Sequence, residues 1–231
     1  MRLVTAVGLA VLSAVALGGQ AVERTERILS TASRTFVSLE ALAADLSHAD
    51  VVFLNEAADA PDVPRIEMAL LHALAARRSD VVFALDIVTR DRQEPLEHFQ
   101  MGHLSDQEFV AESGIAPTLA TVYLPLMKFA AAHSWTIIAT GPADPGAEDQ
   151  MSVAIAQAVT VGAAGGKRPP LVVSLHAPSR TGASDKAAAR VRQQLPDRRV
   201  LALRFVAVPS LEPLVPPAAT PDTDYVVYTR R

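Results

Sequence analysis

No cysteine occurs among the 231 residues of this chain. Disulfides and thiolate metal sites are therefore excluded, and so is a lipid anchor on an N-terminal Cys. Aromatic residues are scarce at 5%, with one Trp and three Tyr. Basic residues form no long run and the formal net charge is −4, so the electrostatic footprint of a nucleic-acid partner is missing. HExxH, GxSxG and glycine-rich phosphate-loop patterns are all absent, which removes the commonest hydrolase and nucleotide-binding readings.

What is present begins with an export signal. Met1-Arg2 supplies a small positive region, Leu3 to Leu17 is almost wholly apolar, and Gly18-Gly19-Gln20-Ala21 ends in small residues, the pattern of a signal peptide over residues 1–21. The alternative is an uncleaved signal anchor, although an apolar core of about 15 residues is short against the roughly 20 that a spanning helix needs. Such a segment is the only expected contact with a membrane. Export of a cysteine-free chain suits a bacterial periplasm or cell surface. Half of the residues are hydrophobic and a fifth are charged, enough for one sizeable core and one domain.

Along the chain, short β-branched apolar runs alternate with helical spacing. Val22 to Arg34 is polar and reads as helical or loose. Thr35 to Ser38 reads as extended, and Leu39 to Leu46 as a helix capped by Ser38. Strands are expected at 51–54, 81–85, 136–140, 171–175, 200–206 and 224–229. Helices are expected at 63–77, 93–100, 117–133 (broken or bent near Pro125), about 147–161 and 184–195. Strands separated by helix-length connections predict a three-layer α/β fold, with a mostly parallel sheet and helices on both faces. The last strand follows the proline-rich loop 209–221 without a helix, and it reads as an antiparallel edge.

Two strands end in carboxylates. ADVVFLNEAAD places Glu56 just past its apolar run, and VVFALD places Asp86 likewise. In a parallel sheet the carboxyl ends of strands are where ligands bind, and two close carboxylates suit acid/base work or a hard cation. The bland alternative is that both acids merely mark the chain's return to water. Asp59 joins Glu56 or caps the next helix. His176 follows the strand at 171–175 on the same rim, as a base, a ligand or a loop residue. Arg90 and Arg180 are candidate anion partners or surface salt-bridge formers. The residues select no particular metal.

The succession ADVVFLNEAAD, VVFALDIVTRDRQEPLEHFQMG, YLPLMKFAAAHSWTIIATGP, LVVSLHAPSR and DYVVYT resembles the ChaN-like haem-binding uptake family, which is related to the Tiki/TraB and erythromycin-esterase-like proteins. It covers nearly everything from Thr35 to Thr229, and residues 35–229 are expected to form the ChaN-like α/β domain. The family's Gly-Glu-x-His-Asp motif stands here as Asn55-Glu56-Ala57-Ala58-Asp59, without the glycine and the histidine. Asp86 takes the place of a Glu, Arg180 that of a later histidine, and Gly141 that of an Asn; Gln93, Gly102, Tyr123 and Pro125 fit the pattern.

The resemblance implies an exported binding protein for a small molecule, haem and iron uptake included. Its crevice would be lined by Asn55, Glu56, Asp59, Asp86, Arg90, His176 and Arg180, with Tyr123 as a residue type able to ligate haem iron. A homodimer is the partner reading besides the ligand. Two other readings stand beside this one. The first is a hydrolase in which Glu56 activates water and Asp86 assists; the second is a non-catalytic scaffold. Loss of both motif histidines favours readings without catalysis, since imidazole is the residue best suited to proton transfer near neutral pH.

Overall fold

Burial on both faces is what the apolar runs require, and one sheet supplies it. The computed structural model describes residues 26–56, 60–142, 149–164, 168–176, 181–212, 214 and 223–231. Among these, eight strands form one sheet: β1 (Glu26–Ser30), β2 (Thr35–Val37), β3 (Val51–Asn55), β4 (Val81–Thr89), β5 (Thr136–Gly141), β6 (Leu171–His176), β7 (Val200–Val208) and β8 (Tyr225–Arg230). Their order is β2-β1-β8-β7-β3-β6-β4-β5. From β8 to β5 every pairing is parallel, whereas β1 joins β8 and β2 joins β1 antiparallel.

Helices cover both faces, as the alternation predicts. One face carries α1 (Leu39–Leu46), α2 (Val63–Ala75), α3 (Gln93–Gln100), α4 (Asp106–Ser113) and α5 (Pro117–Ala132). These pack on Val52, Leu54, Phe83, Leu85, Val173 and Leu175. The other face carries α6 (Asp149–Gly162) and α7 (Thr181–Gln194), packed on Val51, Phe53, Ala84 and Val172. Successive strand residues thus serve opposite layers, the period-two rule of a pleated strand. Among the described residues no helix is long and apolar enough to cross a membrane.

Several elements differ from expectation. The polar segment before Arg34 contains strand β1, whose Ile28 and Leu29 are buried in different clusters, so the chain is held on both faces there. β8 is parallel to β7 and lies inside the sheet, because β1 covers its far side. The stretch between Val208 and Tyr225 is long enough for the crossover that a parallel pairing needs. α5 runs through Pro125 as one helix. Its buried Tyr123, Leu126, Met127, Phe129 and Ala130 anchor it on both sides of the proline, which outweighs the one lost backbone bond. α4 buries only Phe109 and Ser113, too few for a periodic signal. Its capping box, Ser105 with Glu108, is nevertheless written in the sequence as S-x-x-E.

The free edge of β5 is sealed by side chains of α3. Gln93 accepts from Ala139 N at 2.7 Å and donates to Ile137 O at 3.3 Å. Gln100 accepts from Ile137 N at 3.2 Å and donates to Trp135 O. Two amides one helical heptad apart thereby stand in for a neighbouring strand, which blocks pairing of this edge with another chain. A Gln93→Ala/Gln100→Ala double variant is expected to lose about 2–4 kcal/mol of stability in urea denaturation, and to aggregate more readily. A loss below about 0.5 kcal/mol would show that the amides seal nothing.

Candidate functional site

Parallel register brings the carboxyl ends of β3 and β6 into line with Asp86 inside β4, which runs past the expected end at Leu85 to Thr89. β6 lies between β3 and β4, with Asn55 opposite His176 and Leu85 opposite Leu175. The ladder continues one step beyond β3, where Glu56 N donates to His176 O at 3.2 Å. Glu56, His176 and Asp86 therefore meet at the carboxyl edge of the sheet, with the histidine's strand between those of the two acids. All three are buried, at 5%, 0% and 1% exposure.

The pleat divides them between two layers. Glu56 continues the alternation of Val52 and Leu54 and points to the layer of α2 and α5. There Tyr123 donates its hydroxyl to Glu56 Oε2 at 2.8 Å. The second neighbour of Glu56 is Glu67 of α2, which is 0% exposed. Neither Glu67 oxygen nor Glu56 Oε1 has a hydrogen-bond donor while both acids are ionised. A dry pair of this kind is relieved when one proton is shared, so that a carboxyl group donates to the neighbouring carboxylate. Burial, with the charge of Asp86 added, accordingly raises the pKa of Glu56 to about 7, against the opposing hydrogen bond from Tyr123. Glu67 is raised well above its usual range, first by burial and then by Glu56. Burial and the same carboxylates also raise Tyr123, which holds it as a phenol donor.

Asp86 and His176 occupy the opposite layer. His176 stacks on Phe53, with ring centres 5.4 Å apart. Its Nδ1 is 3.3 Å from Asp86 Oδ2, and its Nε2 is 2.9 Å from Ser174 Oγ. With the Asp86 carboxylate accepting from Nδ1–H, the neutral ring accepts from Ser174 at Nε2. Acid, imidazole and hydroxyl thus form one row, the order used to activate a serine nucleophile. Ser174, however, is 0% exposed in the middle of β6, closed off from any substrate carbonyl. Asn55 is buried on this layer as well.

Gly141 explains how β5 reaches this edge. β4 and β5 slip register between Leu85 and Thr89, and a Cβ on Gly141 would stand 2.3 Å from Asp86 O and 2.7 Å from Val88 O. Only a glycine admits the irregular end of β4 here.

Of the residues singled out from sequence, Glu56, Asp86, His176 and Tyr123 come together, with Asn55 beside them. Arg90 does not join them. It is exposed and lines a separate groove of about 340 Å³ with Gln93, Ile138, Ala139, Ala154 and Val161, between β5 and α6. Asp59 and Arg180 lie outside the described residues. Among the described residues no group of three or more His, Asp or Glu side chains is arranged to hold a metal ion. Sequence reasoning missed Glu67 and Ser174. Glu67 falls on the i, i+3, i+4 stripe of Val63, Ile66, Leu70, Leu71 and Leu74, and an acid on such a stripe is the signal that marks it. Ser174 is the polar interruption in LVVSLH.

A family model described as haem-binding uptake, Tiki superfamily, ChaN matches residues 42–191. Among solved structures, the chain is similar to that of ChaN from Campylobacter jejuni with cofacial haem binding. The identity is 12%, over 90% of this chain and 98% of that one, with a TM-score of 0.61. It is also similar to the type III effector HopBA1, at 12% identity over 83% of this chain and 93% of that one, with a TM-score of 0.58. At these identities the likeness is one of fold. No curated protein matches the chain.

The raised acids set a pH dependence. The native state keeps protons that the unfolded chain releases near 4.5. The contribution of Glu56 is therefore fully present below that pH and is lost as pH rises through about 7, whereas that of Glu67, raised well above its usual range, is lost only as pH rises through its own higher pKa. Denaturation measured across this range is expected to show stability falling by roughly 3 kcal/mol, with most of the slope abolished in Glu67→Gln. A flat profile in the unsubstituted chain would contradict the shared proton.

Proposed function

Because the chain belongs to the haem-binding uptake family of ChaN, in the Tiki superfamily, we propose that it is an exported ligand-binding protein. Its ligand would combine an apolar body with an anionic group, haem being the first such molecule to test. The observation that carries this reading is the groove between β5 and α6. Aliphatic residues wall it, Arg90 stands at its rim, and its volume of about 340 Å³ falls within the range of small-molecule sites. Among the described residues Arg90 pairs with no carboxylate, which leaves its guanidinium for an anionic ligand group.

The residues of the carboxyl edge and of the groove do not fit axial ligation of haem iron. Both ring nitrogens of His176 are engaged. Tyr123 donates to Glu56 and is held as the phenol, whereas iron is bound by the phenolate. The groove lining contains no His, Tyr or Met. A porphyrin would be held here by its periphery, through apolar contact and a carboxylate on Arg90. The buried acids of the carboxyl edge would repel that same carboxylate. The hydrolase reading is less well supported, since Glu56 has no imidazole beside it in its own layer and Ser174 is sealed.

Titration of the purified chain with hemin and with iron-free protoporphyrin separates these possibilities. Saturable binding of both at micromolar concentration is expected, weakened about tenfold or more in Arg90→Glu and unchanged in Tyr123→Phe. Absence of saturable binding for either porphyrin, or its loss in Tyr123→Phe with Arg90→Glu unaffected, would overturn the proposal.

A further inference from the structure

The histidines unused by the carboxyl edge lie mainly toward the other end of the sheet. In a chain without cysteine, imidazole is the best ligand available for borderline transition metals. His72 stands in the last turn of α2 and His133 caps α5, and both are exposed. They flank Phe129, whose ring centre is 4.4 Å from that of His72 and 4.0 Å from that of His133. Phe129 in turn meets the edge of buried Trp135 at 5.6 Å, so the two imidazoles rest on a fixed aromatic base.

His133 is also oriented. Its Nδ1 lies 2.9 Å from Phe129 O; a carbonyl can only accept, so Nδ1 carries the proton and the neutral ring offers its lone pair at Nε2. Anchoring one ring nitrogen on a backbone carbonyl while the other is left for a cation is the outer-shell arrangement that metal-ligating histidines use. The ring centres of His72 and His133 are 6.5 Å apart. With metal–nitrogen bonds of about 2.1 Å, two ligating rings have centres roughly 5–6 Å apart, a closure that exposed side chains reach by small χ rotations.

We propose that His72 and His133 form a two-imidazole site for a borderline divalent cation such as Cu²⁺ or Zn²⁺, completed by water. Cu²⁺ binds more tightly than Zn²⁺ there. A second pair, His98 and His103 with ring centres 6.0 Å apart, belongs to one helix end and lacks a carbonyl anchor among the described residues. It serves as the internal control.

The test is calorimetric titration of the full, untagged chain with Cu²⁺ and with Zn²⁺, joined by electron paramagnetic resonance of the Cu²⁺ form. One site per chain is expected. It should weaken about tenfold or more in His72→Ala and in His133→Ala, persist in His98→Ala, and lose one coordinated nitrogen in either of the first two variants. Circular dichroism confirms that each variant is folded. Equal affinity in all variants, a loss that follows His98 instead, or no binding at micromolar metal would each overturn the assignment.

Discussion

Desolvation of acids at the carboxyl edge of the sheet, Glu56 just past β3, Asp86 within β4 and Glu67 facing Glu56 from α2, is the constraint on which the rest of the site depends. Glu56, Glu67 and Asp86 are all withdrawn from water, and isolated buried carboxylates are expensive. Each layer meets the cost in its own way. Toward α2 and α5, a phenol donor and a proton shared by Glu56 and Glu67 reduce the charge. Toward α6 and α7, Asp86 accepts from an imidazole that is itself held by Ser174 and stacked on Phe53. These contacts lock the donors and acceptors to one another. They leave His176 and Tyr123 unsuited to bind iron, and they leave Ser174 unsuited to attack a substrate.

The same constraint gives the motif departures a physical sense. Where the family motif has Gly and His, this chain has Asn55 and Ala58, and its site is organised by carboxyl groups and one engaged imidazole. Gly141 is dictated by the close approach of β5 to the carbonyls of Asp86 and Val88. The fold of a ChaN family member is kept with a buried polar centre, and Arg90 lines a separate surface groove with aliphatic side chains.

The layered α/β fold was legible because buried parallel strands are written as continuous apolar runs, as in VVFL, VVFAL and LVVSL, separated by helical spacing. β1 escaped because ERILS is short and half polar, its burial depending on β8 from the far end of the chain. The parallel direction of β8 escaped for the same reason, since strand order is a long-range property. The unbroken α5 shows packing overriding a proline. Within the site, the strand-end positions of Glu56 and His176 could be read, because an apolar run followed by a polar residue marks a strand's end; Asp86 instead lies inside β4, which the β-branched Ile87-Val88-Thr89 carries on to Thr89. Their division between two layers needed the sheet order β3-β6-β4. Glu67 was hidden inside an amphipathic helix, where a buried acid looks like a boundary residue until its partner is known.

The central claim is that Glu56 and Glu67 hold one proton between them near neutral pH. Infrared spectroscopy of the carboxyl region observes that proton directly. At pH 6, where exposed acids are ionised, the native chain should show the carbonyl band of a protonated carboxyl group, and the band should vanish in a Glu56→Gln/Glu67→Gln variant. A native spectrum without that band, or one in which the double variant retains it, would contradict the shared proton.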